Sequence, residues 1–264
     1  MTLDLFQVDA FTGRVFKGNP ACVIPLSNWL EDDLLLQIAQ ENAVAETAFF
    51  IDHADFFELR WFTPEIEVDL CGHATLATAH IIKTVLKNQS NTLQFKTQSG
   101  LLEVKENNGS YQLNFPSRPP QSVHLPENIR AALNIQPVEV LQSRDYVLVY
   151  ESEEEISSIK IKREPFDQVN LDPGGVIVTA QGREVDFVSR FFTPQASILE
   201  DPVTGSAHCS LTPYWAEKLN KKRLTARQIS ARGGYLECTL QNERVLIHGE
   251  AQTYLHGRIE LPQV

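Results

Sequence analysis

Arg60-Trp61-Phe62-Thr63-Pro64 returns as Arg190-Phe191-Phe192-Thr193-Pro194, offset by 130 residues in a chain of 264. A match of four in five arises about once by chance in a chain of this length, so the flanking sequence decides the reading. Cys71-Gly72-His73-Ala74-Thr75 follows the first copy and Thr204-Gly205-Ser206-Ala207-His208 the second, each placing a Gly-x-Ala step before an apolar stretch. The chain therefore reads as two related halves. Ligand sites favour the cleft between domains, so each half is expected to supply reactive groups from its own copy of the motif.

The composition, 42% hydrophobic and 22% charged, is that of a soluble globular protein, long enough for one large domain or two. The repeat favours two, expected over residues 1–117 and 122–264, with the last strand free to pack on the first domain. A net charge of -11 argues against nucleic acid and anionic membrane surfaces as partners. Lys218, Lys221, Lys222 and Arg223 follow an expected helix end, where cations complement the dipole. The four cysteines, Cys22, Cys71, Cys209 and Cys238, are widely spaced and read as free thiols of a reducing compartment, not as a zinc site. Met1 to Asp9 has acids where a signal peptide has bases, and no apolar run approaches ~18 residues. The expectation is a cytoplasmic protein.

Alternation predicts strands at Leu3 to Val8 and Ala21 to Ile24, joined hairpin-like through Gly13 and Gly18-Asn19-Pro20. Ser27 to Ala43 reads as a helix with Leu34, Leu35, Ile38 and Ala39 on its apolar face. Strands are predicted at Thr47 to Ile51 and Leu59 to Thr63. Ala74 to Leu86 is apolar almost all round, the mark of a buried helix. Strands follow at Thr92 to Thr97, Leu101 to Glu106 and Tyr111 to Phe115. Pro116, Pro119 and Pro120 then break every pattern and supply the linker.

The second half predicts a helix at Glu127 to Leu133 and strands near Asp145 to Tyr150, Gly175 to Ala180 and Val185 to Phe192. Ser206 to Leu219 is its buried helix, with Pro213 expected to kink or unwind a turn. Ile229 to Ala231, Tyr235 to Leu240, Arg244 to His248 and His256 to Leu261 are predicted as closing strands. The expected fold class is α+β: two similar domains, each with strands wrapped around one central buried helix.

Gly72-His73 and Gly205-Ser206 bring bare backbone to the open amides of a helix start, which favours anions such as a carboxylate or an enolate. Equally, glycine serves tight strand-to-helix turns. His73 and Asp201 stand at or just before these starts, where a histidine and a carboxylate can trade protons at neutral pH. Each also has a structural reading, Asp201 as a turn initiator before Pro202 and His73 as a capping or packed histidine. Glu46 sits where a helix passes into an apolar strand, which has no use for it; a solvated acid is its plain alternative. Cys71 can be a thiol activated by the helix start or a small buried residue.

There is no G-x-G-x-x-G after a strand, no Walker A loop, no H-E-x-x-H and no G-x-S-x-G. Ser206, His208 and Asp201 offer hydrolase residue types, yet a serine and a histidine at i, i+2 of a helix start point apart.

Together, Asp9-Ala10-Phe11-Thr12 with Gly18-Asn19-Pro20-Ala21, Glu41 to Phe50, Asp69 to Thr75, Asp201 to His208 and Ser230-Ala231-Arg232-Gly233-Gly234 resemble the phenazine biosynthesis PhzF-like isomerase family, within the diaminopimelate epimerase fold. The resemblance spans nearly the whole chain. It implies two similar barrel domains, a cofactor-independent and metal-free active site between them, and a homodimer. It implies Glu46 as the acid/base that takes a proton from one carbon and returns it to another. His73 and Asp201 are implied to bind substrate and assist proton movement, with Gly72, Gly205, Ser206 and Asn19 in substrate binding.

Epimerases and racemases of this fold use two opposed thiols, whereas here Cys71 stands at the first helix start and Asp201 at the second. One carboxylate serving one face gives a proton shift, not inversion. The expected function is a cofactor-independent isomerase moving a proton, or a double bond, on a small carboxylate-bearing substrate. Amino-acid epimerisation is the alternative within enzymes, and a non-catalytic small-ligand binding or interaction protein the alternative outside them.

Overall fold

The computed structural model describes residues 1–171 and 174–261. The chain runs through β1 (Thr2–Ala10), β2 (Asn19–Leu26), α1 (Asp32–Asn42), β3 (Glu46–Asp52), β4 (Phe57–Phe62), β5 (Glu67–Val68), α2 (Gly72–Thr84), β6 (Thr92–Thr97), β7 (Gly100–Asn107) and β8 (Ser110–Pro116). It continues as β9 (Gln121–Ser122), α3 (Glu127–Ala132), β10 (Glu139–Gln142), β11 (Tyr146–Val149), α4 (Glu153–Ser158), α5 (Arg163–Phe166), β12 (Val176–Gln181) and β13 (Phe187–Phe192). The last elements are β14 (Glu200–Asp201), α6 (His208–Lys218), β15 (Arg223–Gln228), β16 (Gly234–Gln241) and β17 (Arg244–Glu260). Two compact units result: Met1–Asn114 with the described residues from His248 onward, and Phe115–Ile247.

In the first unit, β1 pairs antiparallel with β2, β2 parallel with β3, β3 antiparallel with β4 and β4 parallel with β6. β6, β7 and β8 follow antiparallel, β8 pairs with β17, and β17 returns antiparallel to β1. These pairings close a barrel. Helix α2 packs on β1, β2 and β3, with every residue from Gly72 to Ile82 buried. Its sequence suits a dry interior: the Thr75 and Thr78 hydroxyls donate to the carbonyls of Cys71 and Ala74, so neither is left unsatisfied.

The second unit repeats the scheme. β10–β11 is antiparallel, β11–β12 parallel, β12–β13 antiparallel, β13–β15 parallel and β15–β16 antiparallel, the order of β1, β2, β3, β4, β6 and β7. Helix α6 takes the place of α2 and is buried from His208 to Ala216, against a core that includes Phe187, Phe191, Leu211 and Trp215. Two similar α+β domains, each a sheet around a central helix, are thus present.

The repeated motif has the same structure twice. Arg60 grips Glu67 with two bonds of 2.7 Å, and Arg190 grips Glu200 with bonds of 2.7 and 2.9 Å. Each guanidinium lies over the phenylalanine two residues on, Phe62 at 5.1 Å and Phe192 at 4.8 Å from the ring centroid. Phe62 opposes Glu67 and Phe192 opposes Glu200 across the short strand pairs. The loop after the second motif is longer, so beyond it Cys71, Gly72 and His73 correspond to Thr204, Gly205 and Ser206.

Four local expectations are corrected. Helix α1 begins at Asp32, not Ser27: residues 27–28 bend, residues 29–31 are irregular, and the Trp29 indole is tied to Glu58 Oε2, to which it donates at 2.8 Å. Strand β15 is Arg223–Gln228, not Ile229 to Ala231; Leu224, Ala226 and Gln228 are its buried alternates. The two closing strands are one strand of 17 residues, because Gly249 is no break: a Cβ there would lie 2.4 Å from the Phe11 ring. Helix α6 runs without an unwound turn through Pro213. The carbonyl that Pro213 leaves without a helical donor, that of Cys209, accepts from the Arg118 amide at 2.9 Å.

Candidate active site

Strands β2 and β3 run parallel with Ala21 opposite Glu46, so Asn19 and Glu46 open neighbouring strands at the same end. Cys71 is extended (φ -141°, ψ 111°) and turns the chain directly into α2, leaving Gly72 and His73 as its first residues. These local choices converge. His73 Nε2 lies 3.0 Å from Glu46 Oε2, while its Nδ1 faces the Asn19 amide at 3.2 Å and Cys71 Sγ at 3.5 Å. Asn19 is fully buried and His73 and Cys71 nearly so, but the Glu46 side chain is 19% exposed. A buried imidazole thus backs a carboxylate that solvent, and a ligand, can reach.

Burial acts first on His73 and would lower its pKa, yet the neighbouring Cys71 and Glu46 overcome that and raise it well above the usual histidine value. Burial, reinforced by Glu46, pushes the Cys71 thiol up, so at neutral pH Cys71 is a thiol. With Glu46 3.0 Å away, the cluster can hold a proton on the imidazole or pass it on.

Glu46, Cys71 and His73 place their donor atoms within 4.8 Å of one another, the spacing of a metal-ligand set. Cys71 and Glu46, however, flank different nitrogens of one imidazole ring. One ion takes one ring nitrogen, so the set does not converge on a single ion with His73 as oriented. The arrangement fits proton transfer better than metal binding.

In the second unit the Thr204 hydroxyl donates to Asp201 Oδ2. Gln228, buried and not singled out in the sequence, donates to the Asp201 carbonyl at 2.7 Å and accepts from the Thr204 amide at 2.9 Å. Gly205, Ser206 and Ala207 form a tight i→i+3 turn into α6, with His208 N donating to the Gly205 carbonyl at 3.0 Å. Ser206 Oγ accepts from Arg144 at 3.3 Å. His208 Nδ1 bonds to the Thr204 carbonyl at 2.9 Å, and burial lowers its pKa to about 4. His208 is therefore a neutral packed residue. Of the expected site residues, Asn19, Glu46, Gly72 and His73 lie together in the first unit, and Asp201, Gly205 and Ser206 lie on the β14–α6 connection of the second. Arg144 escaped the sequence reading because nothing in its own segment marks it; only its contact with Ser206 does.

No described helix is long and apolar enough to cross a membrane. The model of the family described as phenazine biosynthesis-like protein matches residues 8–257. An uncharacterized isomerase of Pseudomonas aeruginosa is 47% identical over 262 residues, covering 99% of this chain and 100% of that one. A solved phenazine biosynthesis protein of the PhzF family from Enterococcus faecalis superposes with a TM-score of 0.94 at 44% identity, over 99% of this chain and 100% of that one. A hydroxyproline epimerase from Agrobacterium vitis, with trans-4-hydroxy-L-proline bound, reaches a TM-score of 0.62 at 9% identity over 98% of this chain and 92% of its own, a likeness of fold alone. With its sequence matched almost end to end and its fold shared, the chain belongs to the phenazine biosynthesis-like, or PhzF, family.

Proposed function

We propose that the protein is a cofactor-independent isomerase that shifts a proton, and with it a double bond, on a small carboxylate-bearing substrate. The observation that carries this reading is the 3.0 Å approach of Glu46 Oε2 to a buried His73 at the start of α2. Glu46, the more exposed partner, takes a proton from a carbon beside an electron-withdrawing group and returns it to another carbon of the same face. The His73 imidazolium and the open amides of Gly72 and His73 favour the negative charge that develops between these steps. Both protons and electrons balance within the substrate, so the acid-base groups suffice. Asp201, with Gly205 and Ser206, is assigned to holding the substrate's polar groups. The name isomerase borne by the Pseudomonas relative supports the reaction class.

Two-thiol epimerisation is the weaker reading: Thr204 stands where the repeat would need a second Cys71, and Cys209, one step further along the chain from His208, is buried with its thiol pushed up to about 11. The four buried free thiols suit the reducing cytoplasm expected for the protein. The expected homodimer is read directly by sedimentation of the purified chain.

The test is incubation in deuterated water with pools of small unsaturated carboxylates and amino acids, following deuterium uptake and new isomers by mass spectrometry beside Glu46→Gln. Uptake or isomerisation of one compound, lost in Glu46→Gln, supports the reading. No exchange and no new isomer, with ligand-dependent thermal stabilisation in both proteins, assigns a binding role instead.

A further inference from the structure

Each unit sends a hairpin to the start of its central helix. In the first it is β1–β2, where the side-chain amide of Asn19, at the head of β2, lies 3.2 Å from His73 Nδ1. In the second it is β10–β11, whose turn is Ser143-Arg144-Asp145. Arg144 Nη2 reaches Ser206 Oγ at 3.3 Å, and Ser206 is the repeat equivalent of His73. Both hairpins thus bring a nitrogen donor to the helix start, although the strand registers set Ser143, one residue before Arg144, level with Asn19.

The turn that carries Arg144 is fixed on several sides. Ser143 Oγ and Ser210 Oγ, on α6, are 2.7 Å apart, and Ser143 N donates to the Asp145 carbonyl at 3.1 Å. Asp145 is buried and its Oδ1 accepts from Gly175 N at 2.9 Å. That leaves Arg144 poorly neutralised. Its Nε and Nη2 share the one Oδ1 of Asp145, each at 3.4 Å, near the limit of a hydrogen bond. Nη1 makes no hydrogen bond among the described residues, and the side chain is 28% exposed. Burial pushes the Asp145 carboxyl up against the pull of Arg144 and, more weakly, Arg118. The Arg144 guanidinium thus stands beside Ser206 with, among the described residues, only a long, single-oxygen contact to an acid.

We propose that Arg144 is a positioning and specificity residue that aligns Ser206 and offers its open guanidinium edge to the ligand's carboxylate, selecting the anion over a neutral isostere. The proposal rests on the reading that Ser206 holds the substrate's polar groups, and names the carboxylate as one of them. A guanidinium suits the task because its planar fork matches a carboxylate in two bonds, which an ammonium does not.

The experiment is an NMR titration of the full chain with sodium benzoate and, separately, benzamide, on wild type, Arg144→Gln and Arg144→Lys, each with a thermal melt to verify folding. Wild type is expected to favour benzoate by about tenfold or more, as a charge-assisted pair would give. Arg144→Gln is expected to reduce that ratio to about threefold or less, benzoate losing more affinity than benzamide, and Arg144→Lys to recover part of it. A ratio unchanged in folded Arg144→Gln, equal loss of both probes, or no benzoate preference in wild type would each overturn the proposal. Deuterium exchange run on the same samples separates the two readings. Exchange with an unaltered ratio removes only the role of Arg144, and an Arg144-dependent ratio without exchange removes only the isomerase.

Discussion

The Arg118 amide donates to the Cys209 carbonyl at 2.9 Å, the very carbonyl that Pro213 strips of its helical partner. A proline inside a helix costs about 3 kcal/mol, but much of that comes from the lost hydrogen bond, here replaced from outside the helix. Pro213→Ala is therefore expected to leave stability within about 1 kcal/mol of wild type, on the destabilising side because the unfolded chain gains freedom. Urea unfolding with an unchanged m-value reads this; a gain near 3 kcal/mol would mean the proline is uncompensated.

Arg60→Lys and Arg190→Lys are expected to destabilise, since an ammonium cannot reproduce the two-bond grip on Glu67 or Glu200. The second change should cost more. Arg190 Nη1 also donates to the carbonyls of Ile156 and Ile159 at 3.1 and 2.9 Å, closing the end of α4. With the ion pairs partly solvated, losses of about 1–2 kcal/mol for Arg60→Lys and about 1 kcal/mol more for Arg190→Lys are expected. The ranking of urea midpoints tests it.

His80 and His208 are both buried and held near a pKa of about 4 by burial. Their folded values lie below the ordinary value near 6.5, so below that pH the unfolded chain binds protons that the folded chain refuses. The stability they contribute is complete above about pH 6.5 and is lost as pH falls toward 4, by about 3 kcal/mol each at the bottom of that window. His73, raised by its neighbours, works in the opposite sense and gives up stability on the alkaline side. Urea midpoints from pH 7.5 to 4.5 should fall steadily, and His208→Gln should flatten the decline.

Native thiol titration should return almost nothing at pH 8. Cys22 and Cys238 are pushed up to about 12, Cys209 to about 11 and Cys71 upward, all by burial. A chromogenic disulfide reagent is expected to find four thiols only after denaturation. Fast labelling of Cys71 in the folded protein would contradict its state as a buried thiol.

Glu46→Gln is expected to lower the rate of proton exchange on a turned-over substrate by about 10²–10⁴. In wild type the rate should fall as pH rises through the raised His73 value, because the imidazolium is then lost. An unaffected rate in Glu46→Gln would remove the carboxylate from the chemistry.

Much of this was legible in the sequence because it follows from periodicity. The all-round apolar runs did mark α2 and α6, and the offset copies of Arg60 and Arg190 mark true structural equivalents. What was not legible depends on contacts remote in sequence. Trp29 lies outside α1, tied to Glu58, and Gly249 passes through a strand because Phe11 needs the space. In β15 the alternation Leu224, Ala226, Gln228 was present but masked by Arg223 and Arg227. Asn19, Glu46 and His73 could be named from motifs, whereas Arg144 and Gln228 belong to no motif and are defined only by what they touch.

Strand β17 begins in one unit and finishes in the other, supplying β1 with its antiparallel neighbour from Ala251 to Glu260. During synthesis the barrel begun first must therefore wait until Glu260 has left the ribosome. The half encoded later has all of Phe115–Ile247 in hand before the earlier one can seal its seam. A carboxyl-terminal truncation would accordingly wound the amino-terminal barrel, and a split at the midpoint of the sequence would yield one fragment lacking a stave.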